Sequence, residues 1–361
     1  MRAPVLGLLI AAAGCVVPHP PADPVSKEAP AGGENPPLRD AAEAAHKRIG
    51  TALMSARLND PAVRALVARQ FDSLSPENEM KWESVEPRPG AFAFAAGDRL
   101  VAFAKQNNLR MRGHTLVWHS QMPGWAKQLH GDELRAAMAS HIAGVAGHWE
   151  GEIGAWDVVN EALADGPSGA LREDSPFTAL GADFIDQAFK LAHDADPNAQ
   201  LFYNDYEIEG VGTPKSEAAY QLCKRLKEAG VPIGGVGFQM HVDPRHWPPP
   251  EAIKANIARY GALGLRVEFT EMDVPVGELP GSADQKLQEQ RRIAHDIVAT
   301  CVADAACTAV TFWGLTDRDS WLNDPHWGKL RGNGPHRPLL FDAQMHPKPI
   351  VQGVLDAFAG K

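Results

Sequence analysis

Apolar segments of two kinds alternate along this chain from about residue 40 onward, and this alternation constrains the fold more than any other feature of the sequence. Helical segments with one apolar face lie between short runs that have the composition of buried strands. The eight strand candidates are residues 48–56, 71–74, 109–118, 153–159, 200–203, 235–241, 265–270 and 309–315. Strands that alternate with helices predict a parallel sheet, and eight such units predict an α/β domain of the (β/α)8 TIM barrel type.

Length and charge narrow the class of protein further. The chain has 361 residues, a length that one barrel with loop insertions accounts for, and neither a second domain nor a short repeat interrupts the pattern. The formal net charge is −10, and no run of Lys or Arg occurs. This charge distribution argues against nucleic acid as a partner.

The first fifteen residues have the pattern of an export signal. Arg2 precedes an apolar run at 5–13 that is too short to span a bilayer, which is typical of a signal peptide. The segment Ala-Ala-Gly-Cys at 12–15 resembles a bacterial lipoprotein cleavage site, after which Cys15 would carry lipid. A plain signal peptide with an incidental Cys15 is the alternative. Either way we expect an exported protein that is periplasmic, lipid-anchored in the outer membrane, or secreted.

The next segment lacks the residues that a core needs. Residues 16–39 are rich in Pro, Ala and Gly and contain few large apolar side chains. Such a composition predicts a disordered linker. We therefore expect a signal peptide at 1–15, a linker at 16–39 and a catalytic barrel at 40–361.

Two strand candidates far apart in sequence end in carboxylates. Residues 156–161 read Trp-Asp-Val-Val-Asn-Glu, and residues 267–273 read Val-Glu-Phe-Thr-Glu-Met-Asp. Barrel enzymes carry their chemistry at the C-terminal ends of their strands, so Glu161 and Glu271 are expected at one face. A pair of carboxyl groups there suits glycoside hydrolysis, in which one protonates the leaving group and the other attacks.

Four further motifs, in this order and spacing, closely resemble the glycoside hydrolase family 10 xylanases. They are Pro-Glu-Asn-Glu-Met-Lys-Trp at 76–82, Arg-Gly-His-Thr-Leu-Val-Trp-His at 112–119, Val-Gly-Phe-Gln-Met-His-Val at 236–242 and Thr-Phe-Trp-Gly-Leu-Thr-Asp-Arg-Asp-Ser-Trp at 311–321. The resemblance runs from about residue 45 to the last residue. It implies an endo-1,4-β-xylanase that acts on xylan and xylo-oligosaccharides by a retaining mechanism, needs no cofactor and no metal, and is a monomer.

The resemblance also assigns roles to the residues at the two strand ends. Glu161 corresponds to the acid/base and Glu271 to the nucleophile. His241 corresponds to the donor that keeps Glu271 ionised. Asp157 shares strand parity with Glu161, and we expect it to orient His241. Asn160 is expected to bind the 2-hydroxyl of the sugar, a contact that strengthens in the transition state.

A larger group of residues corresponds to the sugar-binding positions of the family. Those that contact sugars on the non-reducing side are Glu77, Asn78, Lys81, His114, Trp118 and Gln239, with Trp313 and Trp321 as an aromatic lid. Gln121 and Trp321 are expected to crowd the position where a hexose carries its hydroxymethyl group. That crowding favours xylose over glucose, although one added carbon is worth only about 1–3 kcal/mol.

The cysteines fall into two groups. Cys301 and Cys307 lie six residues apart, and the family often has a disulfide at this place, which an exported protein permits. We expect this disulfide; two buried free thiols are the alternative. Cys223 lies on an apolar helix face and is expected in the core. No cysteine spacing indicates zinc.

Three other functions are compatible with the sequence. A β-glycanase that acts on cellulose or short aryl glycosides would be recognised by comparing rates on xylan and carboxymethylcellulose. A metal-dependent barrel hydrolase could use His114, His119 and His241, which metal analysis of the purified protein would reveal. A catalytically silent carbohydrate-binding lipoprotein is the third, and measurable turnover would exclude it.

Overall fold

The computed structural model describes residues 35–329 and 334–361. The predicted signal peptide with Cys15, and all but the last five residues of the predicted linker, lie outside the described residues. The folded domain begins with helix α1 (Leu38–Ala44), whose Leu38 and Ala42 are fully buried. The domain therefore starts by residue 38, two residues before the predicted boundary, because Leu38 belongs to the core.

Eight parallel strands close into a barrel in which each strand pairs with its sequence neighbours and β8 pairs with β1. They are β1 (Arg48–Leu53), β2 (Ser73–Pro76), β3 (Arg110–Trp118), β4 (Ile153–Asn160), β5 (Gln200–Asp205), β6 (Gly235–Phe238), β7 (Arg266–Met272) and β8 (Cys307–Phe312). The predicted (β/α)8 barrel is confirmed. The largest differences lie at strand ends: β1, β6 and β8 stop three residues earlier than expected.

Helices surround the barrel and cover its outer face. After α1 these are α2 (Pro61–Gln70), α3 (Trp82–Val85), α4 (Ala95–Gln106), α5 (Gly131–His148), α6 (Asp183–Ala195), α7 (Pro214–Glu228), α8 (Pro250–Ala262), α9 (Ala283–Val302), α10 (Pro325–Gly328) and α11 (Pro349–Phe358). In α6, for example, the buried Phe184, Ala188 and Ala192 recur every four residues, which places one apolar stripe against the strands. Among the described residues, no helix combines the length and apolar character that crossing a bilayer requires.

The barrel interior below the C-terminal mouth holds paired charges. Arg112 on β3 donates to Glu268 on β7 at 2.8 Å and to Asp157 on β4 at 3.1 Å. Arg110 also donates to Glu268, at 2.8 Å. Removing one partner from such a buried group would leave an uncompensated charge and cost several kcal/mol, about 3–5. Glu268 therefore has a structural role in the barrel, apart from the chemistry at the mouth.

The predicted disulfide is confirmed. Cys301 near the end of α9 and Cys307 at the start of β8 are bonded, with a Cα–Cα distance of 5.1 Å. The bond closes the short turn that leads from the last large helix into the last strand. Cys223 is a buried free thiol on α7, as its apolar helix face predicted.

Candidate active site

Glu161 and Glu271 lie at the same end of the barrel and are linked through three amide side chains. Glu271 is near the end of β7, and Glu161 directly follows β4. Gln239 Nε2 donates to Glu161 Oε1 at 2.9 Å and to Asn160 Oδ1 at 3.3 Å. Asn204 Nδ2 donates to Asn160 Oδ1 at 2.8 Å and to Glu271 Oε1 at 2.7 Å. Gln239, Asn160 and Asn204 therefore connect the two carboxyl groups across the barrel mouth.

The backbone turns sharply just beyond four neighbouring strands. One non-glycine residue after each of β3, β4, β5 and β6 adopts a positive φ: Gln121 (43°), Glu161 (53°), Glu207 (58°) and Met240 (62°). Such conformations are uncommon for non-glycine residues and cluster at functional sites. At Glu161 the N–H still donates to the carbonyl of Asn204 at 2.8 Å, which fixes the turn against β5.

Glu271 is buried and held by two donors. Besides Asn204, the His241 Nε2 lies 3.3 Å from Glu271 Oε2. Burial alone would raise the pKa of Glu271, but the hydrogen bond from His241 and the positive charges of nearby histidines outweigh it, so this pKa lies below its ordinary value. Glu271 is therefore ionised at neutral pH, the state that a nucleophile needs.

His241 is paired with a carboxylate on its other side. Its Nδ1 lies 2.7 Å from Asp273 Oδ2, and His241 and Asp273 form a parallel bridge that extends the pairing of β6 with β7. Burial disfavours the charged imidazolium, but the attraction of Asp273 exceeds that penalty and raises the pKa of His241 to about 10. Both ring nitrogens then carry protons and donate, one to Asp273 and one to Glu271.

The expected pairing of Asp157 with His241 is wrong. Asp157 accepts hydrogen bonds from Arg112 and from His114 Nδ1, the latter at 3.0 Å. It lies opposite His114 in the register of β3 and β4, several residues below the tip of β4, whereas His241 follows β6 at the mouth. Period-two alternation identified the face of β4 on which Asp157 lies, but not how far below the barrel mouth it lies. Asp157 therefore orients His114, and Asp273 orients His241.

Glu161 has a different environment from Glu271. Trp118 Nε1 donates to Glu161 Oε2 at 2.8 Å, and Gln239 donates to the other oxygen. Both donors are neutral, and Glu161 is only partly buried. A carboxyl group that exchanges protons with a leaving group and then with water needs such access to the open cleft.

Asn160 has a free donor that faces the site. Its Oδ1 accepts from both Asn204 and Gln239, which fixes the orientation of the amide. Within the described residues, its buried Nδ2 has no hydrogen-bond partner. Buried polar atoms without partners are rare, so this donor is available for a partner that the described residues do not supply.

Polar side chains gather beside β2 and β3, on the side assigned to the non-reducing sugars. Lys81 Nζ donates to Asn78 Oδ1 at 3.1 Å and to Gln121 Oε1 at 2.7 Å, and it lies 5.0 Å from the centre of the Trp118 ring. Glu77 lies close by. Burial raises the pKa of Glu77 to about 7, an effect that Lys81 opposes. These predicted sugar-binding residues therefore form one hydrogen-bonding wall next to Glu161.

The predicted aromatic lid lies above the two histidines. Trp313 is nearly buried and meets His114 edge to face, with ring centres 5.1 Å apart. Trp321 lies 5.0 Å from the ring of His241, and its Nε1 donates to Asp273 at 2.8 Å. Both tryptophans thus also fix the residues beneath them.

The structure places the predicted catalytic and sugar-binding residues at one end of the barrel, with Asp157 paired to His114 instead of His241, and it adds two that the sequence reasoning missed. Asp273 occurs two residues after Glu271 and shares its strand parity, a signal that could have identified it. Asn204 lies one residue beyond the predicted strand at 200–203, and in the structure it belongs to β5. Thr270 Oγ1 donates to Asn204 Oδ1 at 2.7 Å, which leaves the Nδ2 group facing Asn160 and Glu271.

The three histidines considered as metal ligands have separate partners. His114 contacts Asp157, His241 contacts Asp273 and Glu271, and His119 lies 3.5 Å from Arg172. Over residues 35–329 and 334–361, no group of three His, Cys, Asp or Glu side chains is arranged to hold a metal ion.

Comparison with known proteins places this geometry in a family. The sequence model of glycosyl hydrolase family 10 matches residues 37–357. The chain is 39% identical over 332 residues to a β-1,4-xylanase of Dictyoglomus thermophilum. This alignment covers 89% of this chain and 91% of the relative. It is 37% identical over 337 residues to endo-1,4-β-xylanase B of Thermotoga neapolitana, with 91% and 94% covered. The crystal structure of xylanase 10B from Thermotoga petrophila with xylobiose superposes with a TM-score of 0.84 at 37% identity, covering 91% of this chain and 99% of that one.

Proposed function

The chain belongs to glycosyl hydrolase family 10, and we propose that it is an endo-1,4-β-xylanase that cleaves internal bonds of xylan and xylo-oligosaccharides with retention of configuration. The observation that carries the proposal is the hydrogen-bonded connection between Glu161 and Glu271 at the barrel mouth. The names of the relatives support the substrate class, and one related enzyme was solved with xylobiose.

In the proposed mechanism the two carboxyl groups have opposite tasks. Glu271 attacks the anomeric carbon while Glu161 gives its proton to the departing oxygen, and a covalent glycosyl-enzyme forms. Glu161 then takes a proton from water. That water attacks the anomeric carbon from the face that the leaving group vacated, which breaks the bond to Glu271 and restores the original configuration. The low pKa of Glu271 suits the first step, since the nucleophile must be ionised when the sugar arrives.

The surrounding residues stabilise the charge that develops. The protonated His241 keeps Glu271 ionised, while Asp273 holds the ring in place. The free Nδ2 of Asn160 is available for the 2-hydroxyl, a contact that strengthens as the sugar becomes an oxocarbenium ion. Gln121 and Trp321 line the site where a hexose would carry its hydroxymethyl group, which favours xylose.

The decisive test is incubation with xylan and sizing of the products over time. We expect early products of intermediate length, because cleavage occurs inside the chain, and we expect the β-anomer first in a proton NMR time course. Carboxymethylcellulose serves as the comparison substrate. Faster turnover of carboxymethylcellulose, single sugars as the first products, or an α-anomer formed first would each contradict the proposal.

The raised pKa of His241 gives a direct spectroscopic prediction. In the native protein the imidazole should stay doubly protonated at pH 8, because Asp273 raises its pKa to about 10. Asp273→Asn removes that attraction while burial remains and only Glu271 still favours the imidazolium, so the pKa of His241 should fall well below its native value. Titration of the imidazole nitrogens by NMR measures both.

The activity of the enzyme should depend on whether His241 is protonated. A neutral His241 no longer places a positive charge beside the ionised Glu271, so the Asp273→Asn variant should lose activity at lower pH than the native enzyme on the alkaline side. A His241 that titrates near neutral pH in the native protein would contradict this assignment. Asp98→Asn, which removes the exposed carboxylate paired with His148 on the helical shell, is the matched control.

A further inference from the structure

Met240 is the turn between the two residues that contact the catalytic carboxyl groups. Gln239, directly before it, donates to Glu161 at 2.9 Å. His241, directly after it, has its Nε2 3.3 Å from Glu271. Met240 itself is buried and has a φ of 62°, in the left-handed region that non-glycine residues rarely adopt. Because a backbone of this kind persists only where its surroundings hold it, the contacts of Met240 decide where both neighbouring side chains lie.

The N–H of Met240 donates to a buried carboxylate instead of a neighbouring strand. The N–H of Gln239 still donates to the carbonyl of Asp205 on β5 at 3.0 Å, as in a parallel sheet. One residue later, the N–H of Met240 donates to Glu209 Oε1 at 3.0 Å. Both Met240 and Glu209 are buried, so water is a poor substitute for this acceptor. Buried N–H groups almost always have partners, and Glu209 supplies the one that the left-handed turn takes away from the strand.

The segment that carries Glu209 is anchored to an outer helix. Asn256 on α8 is fully buried, and its Nδ2 donates to the carbonyls of Ile208 and Glu209 at 2.6 and 3.0 Å. Arg259, one turn later on α8, donates to Asn256 Oδ1 at 2.6 Å, which fixes the orientation of the amide. Helix α8 therefore holds the backbone of Glu209, and the side chain of Glu209 holds Met240.

We propose that Glu209 is a positioning residue for both catalytic carboxyl groups, and that it acts through the N–H of Met240. By fixing this turn, Glu209 keeps the residues on either side of it in contact with Glu161 and Glu271. Among the described residues, no hydrogen bond joins Glu209 to either carboxyl group, so its effect on them is indirect. A displacement of about 1 Å in a catalytic site costs about a hundredfold in rate, so a small relaxation of the turn has a large effect. The inference rests on the proposed function.

Two substitutions at Glu209 separate its hydrogen bond from its charge. Glu209→Gln keeps an oxygen that accepts the N–H of Met240, whereas Glu209→Leu removes the acceptor at similar size. In Glu209→Leu we expect kcat on xylohexaose to fall about ten- to a hundredfold with KM within about twofold, because the sugar contacts beside β2 and β3 are untouched. Glu209→Gln should stay within about threefold of the native kcat, since the hydrogen bond is kept. Rates are expressed per active site, counted by trapping the nucleophile with an activated 2-fluoroxyloside.

The imidazole of His241 gives a second measurement, which does not depend on turnover. In the native protein its Nε2 proton lies in the hydrogen bond to Glu271. By NMR, we expect this proton to exchange faster with water in Glu209→Leu and to keep its native shift and exchange rate in Glu209→Gln. A loss of general stability would lower the melting temperature without changing this resonance in the folded protein.

A carboxylate at the other end of the barrel provides the matched control. Asp72, just before β2, accepts the backbone N–H of Ile49 at 2.8 Å. Asp72→Leu should therefore lower stability and leave kcat per active site unchanged. Asn256→Ala is a second test variant, which keeps the Glu209 side chain but releases its backbone from α8. It should lower kcat by about threefold or more at native KM, even where Glu209→Leu folds poorly.

Three results would overturn the inference. The first is a Glu209→Leu variant with the native kcat per active site and the native His241 resonance. The second is a Glu209→Gln variant that loses as much activity as Glu209→Leu, because the charge and not the acceptor would then matter. The third is an Asn256→Ala variant with the native kcat. Hydrolysis of xylohexaose by the native enzyme tests the proposed function separately, since the His241 resonance reports on positioning whatever the substrate is.

Discussion

Glu271→Ala is expected to abolish hydrolysis of xylan, with a loss of at least about a thousandfold in kcat, while the protein remains folded. The variant lacks the oxygen that forms the covalent intermediate, and none of the neighbouring groups can replace it: Asn204 is an amide, and His241 is held as a cation by Asp273. The magnitude follows from the removal of a group that acts directly on the reacting carbon. Initial rates on xylan and on an aryl xyloside measure it.

Small anions provide a positive control for this variant. Truncation to Ala leaves space beside Asn204 and His241 where the carboxylate stood. Azide should enter this space, attack from the face that Glu271 used, and give an α-glycosyl azide from an activated aryl xyloside. Circular dichroism should show the native fold, since Asp273 still pairs with His241. A Glu271→Ala variant that keeps more than about a tenth of the native rate would contradict the nucleophile assignment.

The barrel could be predicted from sequence because its signal repeats. Eight apolar runs alternate with helical stripes, and the length of each unit leaves little choice of topology. The errors in the predicted strand bounds occur where local backbone conformation ends a strand. The predicted strand at 235–241 keeps its apolar residues at alternate positions through Met240, yet β6 ends at Phe238, and Met240 adopts a left-handed conformation. Apolar composition does not reveal such a turn.

The site was predicted less completely, because hydrogen-bond partners across strands depend on depth as well as on face. Asp157 lies on β4 and Asp273 directly follows β7, each at an even spacing from a predicted catalytic carboxylate, and period-two alternation treats them alike. The register places Asp157 opposite His114 within the barrel and Asp273 beside His241 at the mouth. Only the stagger between neighbouring strands distinguishes them, and no single segment of sequence contains that stagger.

Glu161→Ala is expected to separate two classes of substrate by a large factor. Without a proton donor, cleavage of unactivated xylo-oligosaccharides should fall by about a hundredfold to ten-thousandfold, the range typical of general acid catalysis. Aryl xylosides with good leaving groups need no proton to depart, so formation of the glycosyl-enzyme should be much less affected. The structure supports a single donor, since the groups that contact Glu161 are the neutral Trp118 and Gln239.

The second half of the reaction makes this test sharper. Water must still be deprotonated to release the sugar, and Glu161 is the proposed base for that step as well. With an activated aryl xyloside the variant should therefore release a rapid burst of phenol and then turn over slowly, as the glycosyl-enzyme on Glu271 accumulates. Glu161→Gln keeps the shape and can accept a hydrogen bond from only one of Trp118 and Gln239, so it separates loss of the proton from loss of packing. Equal losses on both classes of substrate, with no burst, would exclude Glu161 as the acid.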